Sequence, residues 1–272
     1  MIEIKNLDFN YPGSKKKVFE GFNLKFSDNR IYGLLGKNGT GKSTMLYLIS
    51  GLLRPKRGTV TVNGVESKMR RPEMLRELYI VPEEYNLPNL TLRQYVRIHK
   101  DFYPQFSEEI LDKCLNEFEM PTDINFKELS MGQKKKVYMS FAMASCCQLL
   151  LMDEPTNGLD IPSKALFRKV VAGNLADDSS LIISTHQVHD VEQLLDHVLI
   201  LNGSEVLVDS SIEELTEKYE FGYRNADEMD ESVLYAEPSL QGNAVVARRK
   251  ADSAATTVNL ELLFNAATMG RL

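Results

Sequence analysis

Gly36-Lys37-Asn38-Gly39-Thr40-Gly41-Lys42-Ser43-Thr44 fits the pattern G-x-x-x-x-G-K-[ST], and the residues on either side supply the chain geometry that the pattern requires. Before it runs Ile31-Tyr32-Gly33-Leu34-Leu35, a short apolar strand. After it Met45-Leu46-Tyr47-Leu48-Ile49-Ser50 continues as a helix that stops at Gly51. A strand, a glycine-rich turn and a helix in that order form a nucleotide phosphate cradle. The glycines let backbone N–H groups turn inward around phosphate oxygens, and the helix N-terminus adds partial positive charge. In such a cradle Lys42 reaches the β- and γ-phosphates, and Ser43 gives its hydroxyl to Mg²⁺.

Outward from the cradle, alternation of apolar and polar residues marks half-buried strands from Met1 to about Tyr11 and over Phe22-Asn23-Leu24-Lys25-Phe26. Thr59 to Val65 adds a strand closing on an Asn63-Gly64 turn, so the first third reads as partly antiparallel. Beyond Leu78-Tyr79-Ile80-Val81-Pro82 the pattern turns helical: Thr91 caps a helix through His99, and Ser107 caps another through Glu119. Apolar runs at Gln148–Met152 and Ser180–Ser184, separated by helical sequence, have the character of parallel strands covered on both faces. Val198-Leu199-Ile200-Leu201 is a further strand. Ser211 and Glu214 make a capping box for a helix ending near Tyr219. The segment from residue 221 to 272 is polar at first, then suggests a hairpin around Gly242-Asn243 and a final helix with Leu260, Leu263, Phe264 and Ala267 on one face.

A chain of 272 residues accommodates one large α/β domain and a modest extra unit, and a net charge of −6 gives no general affinity for nucleic acid. No stretch of 18 apolar residues occurs, and Met1-Ile2-Glu3-Ile4-Lys5 lacks the form of a signal peptide, so a soluble, cytoplasmic chain is expected. The three cysteines, Cys114, Cys146 and Cys147, do not make a disulfide framework. Cys146 and Cys147 read as small apolar helix residues, and no metal beyond Mg²⁺ is implied.

Leu149-Leu150-Leu151-Met152-Asp153-Glu154 delivers two carboxylates at the carboxyl end of a buried strand, where ligands sit in open α/β sheets. There Asp153 suits Mg²⁺, and Glu154 suits a water to be polarised. Upstream, Leu129-Ser130-Met131-Gly132-Gln133 starts a helix whose next residues, Lys134, Lys135 and Lys136, read as a solvated face. With that segment the chain over residues 1–220 resembles the ATP-binding subunits of ABC transporters, whose signature LSGGQ stands here as Leu-Ser-Met-Gly-Gln with Met131 in place of a glycine.

The resemblance implies an α/β fold: a P-loop NTPase core with a mostly parallel sheet, an antiparallel β subdomain, a helical subdomain over about residues 84–146 and a small C-terminal α+β extension at 221–272. It implies ATP with Mg²⁺ as ligands. Gly36, Asn38, Gly39, Thr40, Gly41, Lys42, Ser43 and Thr44 would wrap the phosphates, and Tyr11 would stack on adenine. Ser130, Gly132 and Gln133 would face the γ-phosphate held by an opposite subunit, and Asp160 would meet its counterpart near the dimer axis. Glu154, His186 and Lys42 are the implied catalytic groups. His99, His189 and His197 read as surface or packing residues. Glu83 stands where the family usually has glutamine, and joins Ser43 and Asp153 as an expected metal-site residue whose extra charge is unusual there.

By the same resemblance the chain works as a homodimer or heterodimer with another ABC ATPase subunit. It would sit on the inner face of the membrane through separate permease subunits contacted around Glu83 to Tyr103. Pro82-Glu83-Glu84 and the tail Asn259-Leu260-Glu261-Leu262-Leu263-Phe264 look most like bacterial exporters of drug or antimicrobial-peptide type. A soluble ABC-type ATPase serving assembly or regulation without transport is the alternative.

Overall fold

The computed structural model describes residues 1–84, 86–121, 123–250 and 253–272. In chain order its strands and helices are β1 (Ile2–Phe9), β2 (Phe19–Phe26), β3 (Ile31–Leu35), α1 (Lys42–Ile49), β4 (Arg57–Val62), β5 (Val65–Glu66), α2 (Pro72–Leu75), β6 (Leu78–Val81), α3 (Leu92–His99), α4 (Glu108–Glu117), α5 (Met131–Ala144), β7 (Leu149–Asp153), α6 (Ile161–Asn174), β8 (Ser180–Thr185), β9 (His197–Asn202), β10 (Glu205–Ser211), α7 (Ile212–Lys218), β11 (Tyr219–Arg224), β12 (Val233–Ser239), β13 (Gly242–Arg248) and α8 (Leu260–Thr268).

The central sheet runs β10-β9-β3-β8-β7-β6. Its strands from β9 to β6 are parallel, and only β10 is antiparallel to its neighbour. Every residue of β7 and β8 is buried, because helices or a second sheet cover both faces. Successive side chains of these strands feed opposite cores. Leu34, Leu149 and Leu151 point to the side of α1 and the antiparallel sheet, whereas Leu35, Leu150 and Met152 point to the side of α5 and α6.

The register decides where chemistry gathers. Leu35 lies opposite Thr185, and Asp153 lies opposite Ser184. The carboxyl ends of β3, β7 and β8 therefore finish side by side, and the cradle, the two carboxylates and His186 emerge at one edge of the sheet.

A four-stranded antiparallel sheet, β2-β1-β4-β5, closes one side. Its last hairpin turns at Asn63-Gly64, with Val62 opposite Val65. Helices α3, α4 and α5 form the other lobe, and each begins on a hydroxyl cap at Thr91, Ser107 or Ser130. Helix α4 ends at Glu117, short of the expected Glu119, whose backbone has turned left-handed (φ 58°). Cys146 and Cys147 follow the end of α5 instead of lying within it, Cys146 with φ 48°.

Strands β11-β13-β12 form a small antiparallel sheet, and its hairpin turns at Leu240-Gln241, since Gly242 already pairs with Ser239. Helix α8 lies beside it. Leu260, Leu263 and Ala266 pack into the same core as β8, β9 and α5, and each buried leucine contributes about 1.5–3 kcal/mol. Among the described residues no helix is long and apolar enough to cross a membrane.

Candidate functional site

The cradle is built as the sequence requires. Gly41 caps α1 with φ 104°, and a Cβ there would fall 2.8 Å from the Phe19 ring. At Gly36 a Cβ would come within 2.9 Å of the Leu201 carbonyl oxygen, a backbone atom that has no room to yield. Lys42 folds back over its own loop. Its Nζ donates to the Gly36 carbonyl at 2.8 Å and stands 3.8 Å from Glu154 Oε1, with the side chain 6% exposed. Burial draws the Lys42 pKa down, and the carboxylates of Glu154, Asp153 and Glu83 oppose that pull.

Asp153 ends β7 fully enclosed. Its Oδ1 accepts from the Ser184 hydroxyl, while Oδ2 is buried with no hydrogen-bond partner. Burial pushes its carboxyl pKa up, and the Ser184 and Ser43 hydroxyls pull it back. A buried carboxylate oxygen left without a donor, with Ser43 near it, suits a hard divalent cation, so these residues fit Mg²⁺.

Glu154 follows with a left-handed backbone, φ 46°, a conformation that costs a non-glycine residue about 1–3 kcal/mol. Its carboxylate is held from two sides. Oε1 meets His186 Nδ1 at 2.8 Å, and Oε2 accepts from the Thr185 hydroxyl at 3.0 Å and the His186 N–H at 3.4 Å.

Tyr11, Asn38, Gly39, Gly41, Lys42, Ser43, Thr44, Glu83, Glu154 and His186 line one open cleft. Tyr11 reaches it by a hydroxyl contact with Thr44 Oγ1 at 2.9 Å, and its ring stands edge-on to Phe9. Glu83 Oε1 accepts from Asn157 Nδ2 at 3.0 Å. Ser130, Gly132 and Gln133 are not in this cleft. Ser130 and Gln133 make a reciprocal capping box on α5, and Gly132 lines an adjoining concavity with Glu83, Glu84 and Asn157. Asp160 caps α6 by accepting from Ser163 N at 2.9 Å.

The expected solvated lysine face is overturned at Lys135. It is 6% exposed, and its Nζ donates to the carbonyls of Glu154 at 2.9 Å and Asn157 at 2.8 Å. Ser184 and Thr185, whose hydroxyls bind the two carboxylates, are site residues that no motif in the sequence singles out. Their signal is positional: two hydroxyl residues end an apolar strand directly before His186.

A phosphate cradle and an adjacent carboxylate pair at the ends of parallel strands define a P-loop nucleotide hydrolase. The comparisons narrow the class. The family model described as "ABC transporter" matches residues 19–157, and the chain belongs to that family. It is an ABC-type ATPase. The ABC transporter ATP-binding protein YtrB of Bacillus subtilis (strain 168) is 30% identical over 221 residues, 80% of this chain and 75% of that protein. The Nod factor export ATP-binding protein I of Rhizobium etli is 28% identical, covering 75% of this chain and 66% of the relative. The methionine import ATP-binding protein MetN of Carboxydothermus hydrogenoformans is 31% identical, covering 76% and 65%. A solved ATP-binding subunit of an ABC transporter superposes with a TM-score of 0.69 at 26% identity, over 79% of this chain and 91% of that one.

Proposed function

We propose that this chain is the ATP-hydrolysing subunit of an ABC transporter. Two such subunits close head to tail on ATP and drive a separate membrane permease. The observation that supports this most is the separation of the two halves of the site. The cradle, Glu154 and His186 meet in one cleft, while Ser130 of the same chain lies outside it and caps its own helix. A second subunit, identical or related, would bring its Ser130, Gly132 and Gln133 to that cleft, and the Asp160 residues would meet near the axis.

Within the cleft, Lys42 and the inward-facing N–H groups of the loop bind the β- and γ-phosphates, and the Tyr11 ring stacks on adenine. Ser43 and Asp153, with Glu83 alongside, would hold Mg²⁺, which when bound offsets the charge on the phosphates. Glu154 orients and polarises the attacking water. His186 Nδ1 and Thr185 keep the Glu154 carboxylate fixed, and His186 Nε2 is left to face the γ-phosphate. Opening after hydrolysis resets the pair.

Permease docking is supported by the aromatic groove between α3, α5 and β6, lined by Tyr79, Tyr95, Tyr103, Tyr138 and Phe141 and rimmed by exposed Leu52 and Phe102. It overlaps the expected contact span, in which Tyr85 lies outside the described residues. Docking there places the chain on the inner face of the membrane. None of the described residues of 221–272 lines the cleft, and we read that segment as an accessory element.

We read the transporter as an exporter, from the resemblance of Pro82-Glu83-Glu84 and the 259–264 tail and from the name of the Nod factor relative. The methionine import relative is the counterweight. The tagged chain, purified from detergent-solubilised membranes of its host, should bring down an integral membrane protein in stoichiometric amount. Its absence would favour the soluble assembly or regulatory ATPase. With the permease in inside-out vesicles, ATP-driven uptake of cargo reports export, and loss of preloaded cargo reports import.

A further inference from the structure

Lys135 stands one turn into α5, yet its ammonium group ends beneath the carboxylate pair of its own chain. Nζ donates to the Glu154 carbonyl at 2.9 Å and the Asn157 carbonyl at 2.8 Å. Asn157 in turn donates from Nδ2 to Glu83 Oε1 at 3.0 Å. A continuous set of contacts thus runs from the helix that begins at Ser130 to the peptide of Glu154, and on to the carboxylate at position 83.

An ammonium is buried at high cost unless opposite charge offsets the lost water. Two carbonyl dipoles supply part of that offset, and Glu83 lines the same concavity as Lys135. Burial lowers the Lys135 pKa on balance, and the carboxylates of Glu83, Glu154 and Asp153 oppose that pull, Glu83 most. The backbone supplies an independent reason for the contact. Glu154 has φ 46°, so the direction of its carbonyl is set by an uncommon conformation, and a donor on that carbonyl holds the turn in place.

We propose that Lys135 is a positioning residue for hydrolysis, which fixes the Glu154–Asn157 turn from the signature helix and compensates the charge that Glu83 adds to the site. The proposal rests on the reading of Glu154 as the carboxylate that orients water. Lys135 touches no reacting atom; it acts by holding the Glu154 peptide and by balancing the local charge. Closure on a second subunit's ATP would load α5 at its N-terminus, and Lys135 is the side chain through which that helix grips its own carboxylate turn.

The test uses the purified full-length chain, with steady-state ATP hydrolysis in Mg²⁺ and titration with a fluorescent ATP analogue. The variants are Lys135→Met, Lys135→Gln, Lys135→Arg and the pair Lys135→Gln with Glu83→Gln. Lys135→Met and Lys135→Gln should lower kcat about tenfold or more, since small misplacement of a catalytic group is costly, while KM and analogue affinity stay within about threefold. Lys135→Arg should recover most of the rate. Adding Glu83→Gln to Lys135→Gln should regain about threefold or more, because the two positions are coupled through charge.

A kcat within about twofold of wild type in both Lys135→Gln and Lys135→Met overturns the proposal. So does a parallel fall of kcat, analogue affinity and melting temperature that neither Lys135→Arg nor Glu83→Gln relieves, since that pattern is packing alone. If Lys135→Met does not fold, Lys135→Gln, which keeps an N–H donor, decides. Full turnover in Glu154→Gln would instead break the underlying assignment of the water-orienting carboxylate.

Discussion

Glu154→Gln changes one atom of the site and leaves its shape. In the native cleft Oε1 faces His186 Nδ1 at 2.8 Å and Lys42 Nζ at 3.8 Å, and Oε2 faces the Thr185 hydroxyl at 3.0 Å. An amide can keep its oxygen toward Lys42 and His186 and turn its NH₂ to Thr185, whose hydroxyl is able to accept, at the loss of the long 3.4 Å bond from the His186 N–H. The cradle therefore stays intact, and ATP affinity should remain within about threefold, as for loss of a group used chiefly in the transition state. Turnover should not survive. A general base or water-orienting group is worth about 10²–10⁴-fold, or roughly 2.7–5.4 kcal/mol of barrier. Phosphate release by the purified chain measures the rate, and size-exclusion chromatography with Mg-ATP shows whether an ATP-bound dimer accumulates. Turnover within about threefold of wild type, with only monomer in ATP, would refute the assignment of Glu154 and remove the reason for its buried contacts with His186 and Thr185.

Lys42→Ala removes the buried cation that hangs over Gly36, and truncating one partner of a buried charge pair costs about 2–5 kcal/mol, so fluorescent-nucleotide affinity should fall roughly thirty- to several-thousand-fold. Unchanged affinity would show that phosphate sits elsewhere. Ser184→Ala deletes a hydroxyl that favours the ionised form of Asp153, whose pKa burial already holds above the usual carboxylate value. Since Mg²⁺ needs the carboxylate ionised, the acid limb of Mg²⁺-dependent hydrolysis should move to higher pH, and a limb that stays or moves lower in the pH–rate profile counts against Asp153 as a metal ligand. Leu263→Ala empties a fully buried position of α8 and should destabilise by about 2–5 kcal/mol in denaturant titration. Nucleotide affinity should stay within about threefold, and a selective loss of binding would show that α8 completes the site.

The parts of this molecule that could be read in advance are those whose residues act on their immediate neighbours along the chain. Thr91, Ser107, Ser130 and Ser211 announced their helices, because a hydroxyl cap bonds a backbone N–H only three residues on. The cradle announced itself because its glycines, lysine and serine all serve one turn. The parallel strands were legible from their unbroken apolar runs. What those signals do not carry is register between strands distant in sequence. Ser184 and Thr185 became partners of Asp153 and Glu154 only through the pairing of β7 with β8. A polar pair at a strand end raises the question of what stands opposite, and the answer needs the sheet.

Lys135 failed for a different reason. Three successive lysines on a helix read as a wet surface because adjacent side chains point some hundred degrees apart, and solvent is the default for charge. That same angular spread means that three consecutive positions cannot all face one way. On α5, Val137 and Met139 are buried, while Lys134 and Lys136 are not. Position 135 turns to the core side, and a flexible stem can carry its charge to carbonyls in the interior. The face of α5 was therefore legible, but not the acceptors waiting behind it: the Glu154 carbonyl is aimed at Lys135 by a left-handed residue, a backbone choice that no side-chain pattern around Asp153-Glu154-Pro155 signals. The least legible part of the site is thus the one where an uncommon backbone conformation and a buried charge depend on each other, so a substitution at either is expected to be felt at both.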